Sequence, residues 1–179
     1  IDSIHFAASS PVTQGSSSSK ITYAWVYLDD NPVGAFQMPC TFPMIAGNGP
    51  HNIKIYPGII PAGQTLPASI NPFYQYYSTT VNLQQGSTYK FHPTSSYYAS
   101  VKFPLIEDFE ENGGTLNPIH IVNSTGDQRS DTTMIITRNK SLVFEGNGSG
   151  MAIINGAHPY YIGMTNPYDS LPNDGSTPA

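Results

Sequence analysis

The sequence predicts an all-β protein of short antiparallel strands, and three observations carry that prediction. Apolar residues recur with a period of two in several short runs, the pattern of strands whose two faces differ. Sixteen Gly and sixteen Pro among 179 residues punctuate those runs, while aromatics reach 12% and charged residues only 11%. No stretch of about a dozen residues places apolar side chains at i, i+3, i+4 and i+7 without Gly, Pro or a β-branched run intervening. A chain of this length holds one large β domain or two small ones, with room for a real core.

In chain order, residues 9–19 (SPVTQGSSSS after Ser9) are polar and turn-forming, so 1–19 reads as a flexible lead and organised structure is expected from Lys20. Over Ile21 to Leu28, Tyr23, Trp25 and Tyr27 alternate with Ala24, Val26 and Leu28, a strand for which burial of both faces is expected. Asp29-Asp30-Asn31-Pro32 turns the chain, and Val33 to Met38 returns as the second strand of a hairpin. Pro39 and Pro43 remove two amide donors and demote the PCTFP segment to an edge or crossover. After the Gly47-Asn48-Gly49-Pro50 turn, His51, Ile53 and Ile55 share one face of a strand and Asn52, Lys54 and Tyr56 the other.

This order of strand, acidic turn, "VGAF", proline-marked crossover and "IKIYPGI" resembles the PEGA type of small β-sandwich domain, through Val26, Leu28, Asp29, Gly34, Pro43, Gly49, His51, Ile53, Ile55 and Gly58. Two departures are Asp30, where Gly is usual in a tight primed turn, and Pro50 between Gly49 and His51. The resemblance covers roughly 40 residues of a permissive pattern. It implies an immunoglobulin-like antiparallel sandwich over 20–104 and a non-catalytic module of bacterial envelope proteins.

Residues 57–72 form a long Pro-rich connection, a length that usually carries a function. Strands are expected at Thr79 to Leu83 and Thr88 to His92, joined by a turn at "QQGS". From Ile106 the texture changes: "IEDFEENGG", "IHIV", "TTMIIT" and "KSLVFEGNGSGMAII" resemble the first half of a galactose-binding-like jelly roll. About eight strands complete such a fold, and three or four are countable, so 105–179 is expected to be an incomplete second domain. Together the two resemblances imply a surface lipoprotein of the Bacteroidota.

The chemistry-bearing residues divide into a few groups. Glu107, Asp108, Glu110 and Glu111 crowd four of the twelve carboxylates into five positions. On a strand, Asp108 and Glu110 would share a face. A solvated strand end, a calcium site from Asp108, Glu110 and the loop at Asn147, and a glycosidase pair about 5 to 9 Å apart are the three readings, in falling order of weight. His5, His51, His92, His120 and His158 show no helical zinc spacing, and "GNGSG" lacks the Lys and context of a phosphate cradle. Cys40, with no adjacent base, reads as a small hydrophobe. Tyr76-Tyr77, Tyr97-Tyr98 and Tyr160-Tyr161 are doublets that each place one ring in a core and one at a surface.

These features set the functional expectation. The seven Lys plus Arg are scattered singly in a chain of net charge −5, so no basic patch invites nucleic acid. A lone cysteine permits neither an intrachain disulfide nor a Cys-based zinc site. Near absence of thiols in a Tyr-, Ser-, Thr- and Asn-rich chain suits an exported bacterial envelope protein. No signal peptide or apolar run of about 18 residues occurs. A start at Ile1 without Met fits a processed N-terminus with a lipid anchor upstream, and equally an arbitrary boundary. The expectation is a non-enzymatic module of the outer membrane or cell surface that binds another protein or supports an outer-membrane assembly. The alternative is carbohydrate binding, and a glycan-active enzyme ranks below both. Phe73 and Tyr74 are the expected protein contacts and Tyr160 and Tyr161 the expected sugar contacts.

Overall fold

A computed structural model of the chain describes residues 1–60, 68–110, 116–118, 134–157, 159, 161 and 163–165. The chain divides into two compact units, Ile1–Phe103 and Pro104–Leu171. The first contains β1 (His5–Phe6), a single helical turn α1 (Pro11–Gln14), β2 (Tyr23–Leu28), β3 (Asn31–Gln37), β4 (Gly49–Ile59), β5 (Ser69–Ile70), β6 (Tyr77–Leu83) and β7 (Thr94–Ser95). The second contains β8 (Leu116–Pro118), β9 (Ile135–Thr137), β10 (Ser149–Met151) and β11 (Gly163–Thr165). The protein is all-β, and every ladder except β1 with β7 is antiparallel.

The long strand β4 is the spine of the first unit. It pairs with β2 along one edge, while its other edge is shared by β6 over Gly49 to Ile55 and β5 over Gly58 and Ile59; β3 closes the far side of β2. Two prolines lie inside this central strand, a placement sheets normally exclude. Register explains both. Pro50 lies beyond the reach of β2, whose pairing with β4 ends at Leu28 opposite Ile53. Asp29 N donates to Asn52 O, so the hydrogen-bonded pairs fall at alternate positions and Pro57 turns away from β2. There it faces the gap between β6 and β5, and its carbonyl accepts from Asn71 N at 2.8 Å.

Ala24, Val26, Ile53 and Ile55 form the buried face, each at most 1% exposed, and Ile4 completes the cluster. Leu28, Val33, Phe36, Phe42, Met44, Tyr77, Val81 and Phe91 pack around it half-buried. The period-two reading therefore holds for β2 and β4, but burial of both faces does not: Tyr23, Trp25 and Tyr27 are only half-buried on the opposite face. On that face Tyr27 packs edge to face on Tyr56 at 5.2 Å and Trp25 Nε1 donates to Ala68 O.

Coverage of the core face comes partly from a segment read as a loose lead. Ile4, 6% exposed, joins that cluster, while Phe6, 2% exposed, packs against Tyr74 and Tyr97, and β1 lies parallel to β7, with His5 N donating to Pro93 O and Ala7 N to Ser95 O, both at 2.9 Å. Two apolar residues at this spacing outweighed the polar run that follows, because each buries its whole side chain. Ile1 and Cys40 exchange two backbone hydrogen bonds, of 3.1 and 2.9 Å. The 88–92 segment, expected as a strand, forms no strand.

In the second unit β8 pairs with β11 and β9 with β10. Within "TTMIIT" Ile135–Thr137 form β9, and "KSLVF" opens the turn-and-bend segment at 140–147, in line with the turn that the jelly-roll resemblance implies for 141–150. The "IHIV" segment and His120 lie outside the described residues.

Candidate functional site

Three places in the first unit gather polar or aromatic chemistry. The first is the β2–β3 turn. Asp29 and Asp30 carry φ of 47° and 65°, both left-handed, as a two-residue type I′ turn requires. Asp at the second position accordingly takes the conformation that Gly usually supplies. Both side chains compensate by reaching β4. Asp29 Oδ1 accepts from Asn52 N at 2.8 Å and Asp29 Oδ2 lies 2.6 Å from His51 Nδ1, while Asp30 pairs with Lys54 Nζ.

His51 has acceptors at both ring nitrogens, since Nε2 lies 3.1 Å from Gly47 O. Only the imidazolium donates from both nitrogens at once. The Asp29 carboxylate accordingly holds the His51 pKa above its ordinary value of 6.5, and the hydrogen bond from His51 holds Asp29 below its ordinary 3.8. This triad of turn, histidine and 47-loop carbonyl is a clamp, since every polar atom in it is already engaged.

The second place is the outer face of the sheet. Tyr27 and Tyr56 meet edge to face at 5.2 Å, Tyr56 and Tyr76 lie 4.7 Å apart, and the Lys54 ammonium sits 5.7 Å from the Tyr76 ring centre. Tyr76 is 41% exposed, while its neighbour Tyr77 packs against the core, which is the division expected of a doublet on a strand. Trp25 Nε1 donates to Ala68 O at 3.1 Å, tying the far end of this face to the chain before β5.

The third place is a groove of about 820 Å³ between the 40–48 and 83–91 segments. Phe42, Met44, Leu83 and Phe91 line it together with Ile1 and Cys40, and Gln84, Gln85 and Lys90 are among its polar lining. Burial holds the Cys40 thiol pKa up, so this sulfur is a weak nucleophile.

The expected site residues are distributed differently from the sequence reading. Tyr74 is drawn inward, 4.7 Å from Phe6 and 5.2 Å from Tyr97, with its hydroxyl pushed up to about 12 by burial. Phe73 is half-buried, its amide donating to Asn71 Oδ1 at 2.9 Å and its carbonyl accepting from Tyr98 N. Both therefore hold the loop together. Tyr160 lies outside the described residues, and Tyr161 is half-buried.

The acidic segment is not a strand over 104–110. Asp108 Oδ1 accepts from Glu110 N at 3.0 Å and Glu107 Oε1 from Phe109 N at 2.9 Å, local turns that place Phe109 at φ 57°. Glu110 instead reaches the 146–148 turn, where Oε1 accepts from Asn147 N at 2.6 Å and Gly148 N at 3.2 Å. These amides hold its pKa below the ordinary 4.5. Asp108 and Glu110 are thus not aimed at one space. Glu110 and Asn147 do meet, but Asn147 Oδ1 accepts from Lys140 Nζ at 2.9 Å and Arg138 binds the carbonyls of Phe109 and Glu110. Lys140 and Arg138 supply positive charge where a calcium ion would. Among the described residues no group of three or more His, Cys, Asp or Glu is placed to hold a metal.

The sequence reading passed over Arg138, Lys140 and the groove. A pair of cations directly after "TTMIIT" in a cation-poor chain was the available signal for the first two. Nothing local signals the groove, because its walls are about 40 residues apart in sequence.

Among the described residues no helix is long and apolar enough to cross a membrane. Comparison with family models, curated proteins and solved structures finds no match.

Proposed function

We propose that this chain is a non-enzymatic module that binds another protein at the bacterial envelope or cell surface. The observation that carries the reading is the use made of ionisable groups. Asp29 with His51, Asp30 with Lys54 and Glu110 with the 146–148 turn all fasten one backbone segment to another. The groove between 40–48 and 83–91 instead sets the apolar side chains of Phe42, Met44, Leu83 and Phe91 among polar ones such as Gln84, Gln85 and Lys90, a mixture typical of surfaces that recognise polypeptide. The envelope location rests on the composition argument and on the resemblance to PEGA-type modules. The test is co-purification from an envelope fraction under washing with free glycans. A partner retained through the wash supports the reading; release by glycan overturns it.

A second reading, carbohydrate binding, is favoured by one arrangement only. Tyr27, Tyr56 and Tyr76 on the outer sheet face present rings beside the polar heads of Lys54 and Asp30, and rings with neighbouring hydrogen-bond groups stack on sugars. Glycan-array binding lost in Tyr76→Ala is the outcome that would put this reading first.

A further inference from the structure

His51 stands between two acceptors. Its Nδ1 lies 2.6 Å from Asp29 Oδ2 and its Nε2 lies 3.1 Å from Gly47 O, a carboxylate oxygen on one side and a peptide oxygen on the other. Two N–H groups satisfy both, and an imidazole carries two only when it is charged. Loss of one proton therefore breaks one of the two contacts, and the geometry decides which. A lone pair on Nδ1 would face an anion across 2.6 Å, whereas a lone pair on Nε2 would face a neutral carbonyl. The neutral ring accordingly keeps its proton on Nδ1. Asp29 is held in place for this role, because its Oδ1 accepts from Asn52 N and its own N–H donates to Asn52 O, both at 2.8 Å.

The surroundings leave the choice to Asp29. His51 lies opposite Val81 on β6, and neither 79–83 nor 31–50 contains Asp, Glu, Lys or Arg. Asp30 and Lys54 pair with each other on the outer face of the sheet, since Lys54 and His51 point to opposite faces. Asp2 and Lys90 line the groove that Gly47 also lines, but the groups that raise the proton affinity of His51 are Asp29 and the Gly47 carbonyl, opposed by burial. The His51 side chain is 18% exposed, so its proton exchanges with solvent. We propose that His51 is a proton-operated latch: charged, it ties the Gly47 peptide to the β2–β3 turn; neutral, it stays on Asp29 and lets Gly47 go. The device goes beyond the protein-binding reading and does not depend on it. The neighbouring tie, Asn48 Oδ1 accepting from Gln85 N at 2.8 Å, has no titratable member and persists, which confines the change to the peptide at Gly47. With its pKa held above 6.5, His51 keeps the latch closed in mildly acidic solution and opens it as pH rises through the raised value.

The experiment is an NMR titration of the full chain from about pH 5 to 9, following the His51 ring nitrogens, the Gly47 carbonyl carbon and the Gln85 amide. The expected result is one midpoint above 6.5 shared by the ring and the Gly47 carbonyl, a neutral ring protonated on Nδ1, and a steady Gln85 amide. In Asp29→Asn the carboxamide oxygen still accepts from Asn52 N and Asn suits the left-handed turn position, so the hairpin is retained; there the shared midpoint falls toward 6.5, with ring and carbonyl still moving together. His51→Gln removes the Gly47 response. A neutral ring protonated on Nε2 overturns the proposal, as does a midpoint that Asp29→Asn leaves unmoved. A Gly47 carbonyl that ignores the ring's midpoint, or that keeps its response in His51→Gln, overturns it equally. Movement at Gln85 as large as at Gly47 marks a general loosening of the loop and also overturns it.

Discussion

His51 shows most plainly how one residue couples charge to backbone. With its pKa raised, the stability it contributes is fully present below its unfolded value near 6.5 and is lost as pH rises through the raised folded value. Asp29, with its pKa lowered, contributes above about 3.8 and loses that contribution as pH falls through its depressed value. Stability of the hairpin is therefore expected to be greatest between those two limits. Urea midpoints measured at pH 5.5 and 8.5 should fall with rising pH in the native protein, and His51→Gln should abolish that part of the difference. Packing sets the other residue-scale expectations. A Cβ at Gly58 would lie 2.7 Å from the Tyr23 Cβ and 3.1 Å from its carbonyl oxygen, so Gly58→Ala should cost about 1–3 kcal/mol by overpacking. Ile55→Ala should cost about 2–5 kcal/mol by opening a cavity beneath the sheet. Denaturant titration at fixed pH measures both.

At the scale of elements, the hairpin was legible because its information is local. The alternation of β2, the two Asp in the turn and the return at Val33 lie within 16 residues, and the observed register joins Leu28 to Asn31 across that turn. Asp30 holds a left-handed φ that Gly adopts without steric cost, and its ion pair with Lys54 is exposed on the Asp side. Since exposed pairs contribute little, Asp30→Gly should retain or raise stability by up to about 1 kcal/mol, read as an unchanged or higher thermal midpoint. Element ends were less legible. The 104–110 segment has strand-like composition, yet Glu107 and Asp108 bond amides two residues ahead and draw it into turns. The turn expected in the 141–150 stretch was legible at its start, where Asn139 O accepts from Leu142 N and Val143 N.

For the whole molecule, the two units have separate ladders, the first built on β4 and the second on β8–β11 and β9–β10. Calorimetry should show Ile55→Ala lowering one transition. Glu110→Gln, which weakens a tie between 110 and 147–148 within the second unit, should lower the other.

The sequence by itself determined the all-β class, the β2–β3 hairpin and the alternation that puts Ala24, Val26, Ile53 and Ile55 on one face, because those follow from steric rules acting between near neighbours. Only the tertiary structure decided that Ile4 closes the core, that Tyr74 turns inward onto Phe6, that Glu110 ties a distant turn and that a groove opens beside Cys40. Each of these depends on which remote segment arrives next to it, and a period of two says which way a side chain points without saying what it will meet.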